Sequence, residues 1–260
     1  MGQRQVNETM AHALADEQRR GRKSPWQRLG RNIIRLPARV ARDVSRWADP
    51  NFRLEREADR IVNRWLSASQ RKALESIVGT SANHECRLLA YLANVAPVGG
   101  IILEIGAWKG KSTAWLVEGS TRREEPLPVV SVDPHACGSW ETFNDTVQRF
   151  ELVNRGLEVH RAGSHEVGEK WTRPLSLLWV DGSHEYDDVV RDIGLFTPHV
   201  IAEGWIIFDD AVGGLFPGVE QAIREEMTTA RGFYRIAVIR HLQVFQRAPK
   251  PSTHSTRSTG

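Results

Sequence analysis

The 260-residue sequence predicts an α/β fold: a doubly wound, mostly parallel sheet of seven strands, preceded by a helical N-terminal extension. Three observations carry this. The run Ile101-Ile102-Leu103-Glu104-Ile105 is rich in β-formers, too short for a helix, and leads through Gly106 and Gly110 into a helical stretch. From there strand and helix patterns alternate, which implies parallel strands joined by crossover helices. Near the end, 233–240 and 242–246 are extended runs with almost no linker, and these fit a closing antiparallel hairpin.

The elements follow in order. Residues 1–24 are polar and expected to be disordered. In 26–47, Trp26, Leu29, Ile33, Leu36, Val40, Val44 and Trp47 recur every three or four residues, with Arg28, Arg31, Arg35, Arg39, Arg42 and Arg46 on the other side. That spacing predicts an amphipathic helix, kinked at Pro37. A second helical region covers 54–78 and turns Ile61, Trp65 and Leu66 inward; Ser81 then caps a helix over 84–95, buried through Leu88, Leu89 and Leu92. After strand 101–105 come helix 112–119 and strands 129–132, 157–161, 175–180 and 205–208. The alternating helices are 140–152, 165–171, 187–195 and 218–230. The organisation is a basic arm (1–53), an α/β domain (54–248) and a Pro/Ser/Thr-rich tail (249–260) expected to be disordered.

At 40% hydrophobic and 26% charged, the composition is that of a soluble globular chain. Between Arg19 and Arg53, eleven basic residues face two acidic ones, so this segment carries +9 and the remainder −6 of a net +3. The basic character belongs to the arm, and no nucleic-acid partner is expected. No apolar run approaches the ~20 residues that span a bilayer, and the N-terminus lacks the apolar core of a signal peptide. With only Cys86 and Cys137, a reducing, cytoplasmic setting is expected. The arm suits either a homo-oligomer contact or peripheral attachment to the inner face of an anionic membrane.

The chemistry gathers where strands end. A strand, a glycine turn and a helix N-terminus bring free backbone N–H groups to the carboxyl edge of a sheet, where such sheets bind ligands. Glu104 would repel a phosphate but accepts hydrogen bonds from an amino group or ribose hydroxyls. Gly110-Lys111-Ser112 ends like a phosphate-binding loop, yet only Ala107, Trp108 and Lys109 separate the glycines where that loop needs four residues. Asp133, one βα unit on, is placed to accept both ribose hydroxyls of a nucleoside-type cofactor, and Ala162-Gly163-Ser164 makes a small turn where adenine can lie flat. Strand 175–180 runs into Asp181 and strand 205–208 into Asp209-Asp210. Neighbouring parallel strands bring these carboxylates together, and three of them repel unless a cation sits between. Oxygen ligands suit Mg²⁺ or Mn²⁺.

Glu104-x-Gly106-x-x-x-Gly110-x-Ser112-Thr113, Ser131-Val132-Asp133-Pro134, Trp179-Val180-Asp181-Gly182-Ser183-His184-Glu185-Tyr186 and Glu203-Gly204-Trp205-Ile206-Ile207-Phe208-Asp209-Asp210 follow in order. In these residues the chain resembles the class I S-adenosylmethionine-dependent methyltransferases, Rossmann-like in fold. Within them it is similar to metal-dependent O-methyltransferases of the macrocin and sugar-modifying type. The resemblance implies S-adenosylmethionine at Glu104, Gly106, Gly110, Ser112, Asp133 and Ser164, and a divalent metal at Asp181, Asp209 and Asp210. It also implies methyl transfer to a hydroxyl of a small-molecule or glycan acceptor, a sugar, polyol or phenol. Some sugar methyltransferases of this type carry a second aspartate two residues after the first metal ligand; here that residue is Ser183. Catechol-type relatives place a lysine base one residue further, where this chain has His184, a residue suited to general-base work near neutrality.

Trp108, His135, Trp140 and Phe216 lie in loops at this edge and are candidates to line the acceptor pocket. His84-x-Cys86 and His135-x-Cys137 imitate zinc pairs, but their one-residue spacing is too short for the usual structural sites. Two other readings stay open: a phosphate-loop nucleotide hydrolase using Lys111 and Ser112, and a non-catalytic cofactor-binding fold acting through its arm at a membrane or in an assembly.

Overall fold

The computed structural model describes residues 49–249. The amphipathic stretch 26–47 and the tail from residue 250 onward lie outside the described residues. Three helices come first: α1 (Pro50–Trp65), α2 (Ala68–Glu75) and α3 (Asn83–Val95). The sheet then builds through β1 (Ile101–Ile105), α4 (Lys111–Thr121), β2 (Val129–Val132), α5 (Trp140–Arg149), β3 (Leu157–His160) and α6 (Ser164–Gly168). It continues with β4 (Leu175–Val180), α7 (Tyr186–Phe196), β5 (Val200–Phe208), α8 (Pro217–Glu226), β6 (Phe233–Ile239) and β7 (Leu242–Arg247). The strand order is β3-β2-β1-β4-β5-β7-β6. β1 to β5 are mutually parallel, and β7 runs antiparallel to both β5 and β6, so the expected hairpin closes the sheet.

Alternation along the central strands divides the core into two layers. Ile102, Leu177, Trp179 and Ile207 face α1, α3 and α4, where Ala58, Val62, Leu88, Leu89, Leu92 and Trp115 are buried. Leu103, Ile105, Leu178, Val180 and Phe208 face α7 and α8, packing on Val189, Ile193, Phe196, Val219 and Ile223. The helices of the two layers hold the sheet from both faces. Its carboxyl edge is left for the loops.

Several expected boundaries move, each for a local reason. The helical region expected over 54–78 consists of two helices, α1 and α2. Ser67 Oγ accepts the Gln70 amide and Gln70 Oε1 accepts the Ser67 amide, a reciprocal cap that restarts the helix. The buried residues of α1 are Ala58 and Val62, Leu66 is buried just past its end, and Ile61 and Trp65 are half-buried. Ser81 does not cap α3. Ala82 occupies the cap position and Glu85 Oε2 accepts its amide at 2.7 Å, so the cap comes from inside the first turn. The helix expected over 165–171 is the single turn α6. β5 begins at Val200 rather than at residue 205, its apolar pattern interrupted by Glu203-Gly204, where the β4–β5 register shifts and Glu203 has φ +63°.

Candidate active site

The sheet ladder continues one residue past each central strand. Gly106 N donates to Val132 O, Asp133 N to His160 O, Asp181 N to Ile105 O and Asp209 N to Val180 O, at 2.8–3.1 Å. Gly106, Asp133, Asp181 and Asp209 therefore stand in one row along the carboxyl edge. Above this row opens a cavity of about 620 Å³. Its wall includes Gly106, Trp108, Lys111, Ser112 and Asp133 from the β1 and β2 loops, Ser164 and His165 from α6, and Asp181 to His184 after β4.

The β1–α4 turn is built around two carboxylates. Glu104 is fully buried; its Oε1 accepts Ser112 Oγ at 2.6 Å, and its Oε2 accepts Thr113 Oγ1 at 2.5 Å and Ser131 Oγ at 2.9 Å. Burial pushes its carboxyl up to about 7, the three hydroxyl bonds pulling the other way and Asp133 adding to the rise. Glu104 thus organises the turn from beneath, and it is Ser112, not Glu104, that reaches the cavity wall. Asp133 Oδ2 accepts the amides of Ala107 and Trp108 at 2.8 and 2.7 Å, and Oδ1 accepts the amide of His135 at 2.6 Å. Of about four acceptor sites on a carboxylate, three are taken, which leaves room for one ribose hydroxyl rather than two. Trp108 and His135 hold φ of +42° and +53°, a conformation rare outside glycine, and the Asp133 bonds pin both.

On the β4 and β5 side, Asp181, His184 and Asp210 bring one ligand-type atom each to within 4.8 Å of one another. Asp210 turns into this group through a left-handed backbone (φ +49°). Its Oδ2 lies 3.0 Å from His184 Nε2, while the His184 ring stacks on Phe216 at 3.9 Å. That nitrogen is buried yet makes no hydrogen bond. Asp209, expected with Asp181 and Asp210, is outside this 4.8 Å group; its Oδ1 accepts the Asp210 amide at 2.8 Å, and its charge still acts on Asp181. Loss of hydration, then the charges of Asp209, Asp210, Glu104 and Glu85, hold Asp181 well above the usual carboxylate range. Burial lifts Asp209 to about 6; the Asp210 amide bond opposes the rise and the Glu85 and Asp210 charges add to it. A polyanionic group of this kind gains from a cation.

At the β3 side, Ser164 bonds to Asp192, which is buried and lifted to about 6, chiefly by burial. Sequence reading missed Asp192, whose position on α7 is visible only once α6 and α7 pack together. It also missed Lys111 as part of the cavity wall. Of the four expected pocket aromatics, Trp108 lines the cavity and Phe216 braces His184. His135 and Trp140 instead pack with Phe143, their rings 4.7 to 5.9 Å apart, and His135 bonds Ser139 Oγ at 2.9 Å. The zinc-like pairs separate: Cys86 is buried on α3 and Cys137 is exposed, both as free thiols.

Comparison with known proteins agrees with this geometry. A family described as "Methyltransferase domain" matches residues 103–211. Among curated proteins, the uncharacterised protein R132 of Acanthamoeba polyphaga mimivirus is 22% identical over 143 residues, 52% of this chain and 63% of that protein. The match thus spans less than two thirds of that relative. Among solved structures, the O-methyltransferase NovP aligns with a TM-score of 0.53 at 16% identity, covering 64% of this chain and 81% of NovP. CalS11, a TDP-rhamnose 3′-O-methyltransferase of calicheamicin biosynthesis, gives 0.52 at 12% identity over 83% of this chain and 97% of its own. Cofactor-bound Rv0187 from MTB gives 0.52 at 19% identity, with 69% and 86% coverage. At these identities the structures speak for the fold. Residues 103–211, the strands that carry the site, thus match a methyltransferase domain, on a sheet whose strand order and closing hairpin are those of the class I fold.

Proposed function

We propose that the protein transfers a methyl group from S-adenosylmethionine to a hydroxyl oxygen of a small-molecule or glycan acceptor, with a divalent metal held by Asp181, His184 and Asp210. The observation that carries this reading is the buried His184 Nε2, which makes no hydrogen bond, beside the carboxylates of Asp181 and Asp210, with Asp181 and His184 on the cavity wall. Metal ligands around one ion sit no further apart than about twice a bond of ~2.1 Å, so the spacing fits after small shifts. Two carboxylate oxygens and one imidazole nitrogen favour Mn²⁺ over Mg²⁺, which prefers oxygen throughout. The set expected from sequence had Asp209 in place of His184. With Nε2 among the ligands, the general-base role expected of His184 gives way to holding the ion.

S-adenosylmethionine supplies an electrophilic methyl on a sulfonium, and in-line displacement requires the acceptor oxygen behind it. A divalent ion held by Asp181, His184 and Asp210 would supply Lewis acidity, lowering the pKa of an acceptor hydroxyl. The chain's own residues do the rest. Asp133 and the Gly106 turn hold the nucleoside side, Ser164 and Asp192 border the adenine side, and Phe216 fixes the His184 ring. NovP and CalS11 are O-methyltransferases, and CalS11 acts on a TDP-sugar, which supports a hydroxyl acceptor here.

The phosphate-loop reading is disfavoured. The Ala107 and Trp108 amides that would cradle a phosphate are held by Asp133, and the Ser112 hydroxyl that would meet its Mg²⁺ is held by Glu104. No described helix is long and apolar enough to cross a membrane. Assembly of a homo-oligomer through the basic segment 26–47, in a reducing cytoplasmic setting, completes the proposal and rests on sequence. The test is incubation of the full chain with methyl-labelled S-adenosylmethionine, Mn²⁺ and a panel of glycans, polyols and phenols. Label on an acceptor oxygen supports the reading; label on nitrogen or carbon, or none although the cofactor binds, overturns it.

A further inference from the structure

Among the described residues Lys111 is a cation outside any ion pair. It is 9% exposed and makes no hydrogen bond or ion pair among the described residues, yet it forms part of the cavity wall. Its stem is accommodated on purpose-shaped ground: a Cβ on Gly79 would stand 2.6 Å from Lys111 Cβ and 2.8 Å from Cδ, so only a glycine lets that loop pass over the lysine. The neighbouring Cys86 thiol is pushed up to about 12 by burial and is therefore neutral, offering no charge in return. Glu104, on the same turn, is engaged by the hydroxyls of Ser112, Thr113 and Ser131.

The helix that Lys111 begins adds to the positive field. α4 has no acidic residue in its first turn, and its N-cap, Gly110, has no side chain to bond the free amides. An 11-residue helix with an open N-terminus attracts an anion there, and the ammonium of a lysine on the cavity wall beside it reinforces the attraction. The ligand's orientation follows from the sheet. Strands run β3-β2-β1-β4 across the edge, with Ser164 after β3, Asp133 after β2 and the acidic group after β4 and β5. A nucleoside over β3 and β2 whose sulfur must face the acidic group has to lay its amino-acid arm over the end of β1. That is where α4 and Lys111 begin.

We propose that Lys111, with the open N-terminus of α4, is the counter-charge for the α-carboxylate of the cofactor's methionine moiety; this rests on the cofactor reading above. The ammonium of the same moiety then falls toward the acidic side, by Asp181. The experiment is titration calorimetry of the full chain with S-adenosylhomocysteine and with 5′-methylthioadenosine, which keeps the nucleoside but lacks the amino-acid head. The proteins are the natural chain, Lys111→Met and Lys111→Arg, with melting temperature as a folding control. Lys111→Met should weaken S-adenosylhomocysteine at least ten-fold and leave 5′-methylthioadenosine within two-fold, and Lys111→Arg should restore most of the loss. Equal loss for both ligands, or loss for neither, overturns the assignment. If the natural chain binds neither ligand, the cofactor reading falls first and this inference with it.

Discussion

A Cβ on Gly106 would lie 1.9 Å from the carbonyl oxygen of Asp181, so the glycine turn and the acidic group are in direct backbone contact across the β1–β4 pair. Nothing larger than hydrogen fits, and φ at Gly106 is +85°. Gly106→Ala should therefore cost more than about 3 kcal/mol, or prevent folding, because a steric clash with backbone adds to the left-handed strain. Gly138 offers the control, with φ +75° and no atom within 4 Å of its virtual Cβ. Gly138→Ala should cost only about 1–2 kcal/mol, the strain alone. Melting curves of the two variants decide it, and equal losses would show that the contact is not tight.

Glu104 makes stability fall as pH rises. Its usual value of 4.5 is raised to about 7 by burial in the folded protein, so between these values the unfolded chain releases a proton that the folded chain keeps. Stability should be greatest below pH 4.5 as far as this group is concerned, decline through the window, and level off above pH 7, a difference on the order of 3 kcal/mol. Asp192, lifted to about 6, adds a contribution of the same sign. Thermal melts at pH 5 and pH 8 should show a smaller drop for Glu104→Gln than for the natural chain. Identical drops would remove Glu104 as the source.

The fold was legible because its signals are local. The β1 run, the glycine turn and the closing hairpin each announce themselves within a dozen residues, and parallel alternation fixes the rest. Asp133 and Asp181 were legible for the same reason, as the residue where an apolar strand stops. What could not be read is direction. Asp209 and Asp210 are adjacent and chemically identical, and only the left-handed backbone at Asp210 decides which one turns toward His184. Glu104 reads as a ligand contact because sequence cannot show that Ser112, Thr113 and Ser131 converge on it from three directions. Lys111 was masked by its resemblance to a phosphate-loop lysine, and its lack of a partner is a property of packing.

Asp133 carries two loads that one substitution can separate. Its three backbone bonds hold the Ala107–Trp108 turn and His135, and an asparagine has one acceptor oxygen where the aspartate has two. At least one amide then loses its partner, so Asp133→Asn should lower stability by about 1–3 kcal/mol. Affinity for S-adenosylhomocysteine should fall about ten-fold, as the turn loosens and the ribose contact weakens. A variant that lost affinity while melting like the natural chain would assign Asp133 to the ribose alone.

The two ligand sets make opposite predictions for one pair of residues. If Asp181, Asp209 and Asp210 held the ion, Asp209→Asn would abolish metal binding and His184→Ala would spare it. The proposed site with His184 predicts the reverse: His184 Nε2 is buried without a hydrogen bond 3.0 Å from Asp210 Oδ2, and Asp209 Oδ1 accepts the Asp210 amide. An asparagine at 209 keeps an oxygen for that amide, so the turn that aims Asp210 survives. Calorimetric titration of the full chain with Mn²⁺ should then show binding within about three-fold of the natural protein for Asp209→Asn. His184→Ala and Asp210→Asn should each weaken it at least thirty-fold, a loss of about 2 kcal/mol for one ligand. Mg²⁺ should bind more weakly than Mn²⁺ to the natural chain and gain least from the imidazole, so His184→Ala should narrow the gap between the two ions. Tight Mn²⁺ binding by His184→Ala would return the site to its carboxylates and restore the histidine as a base.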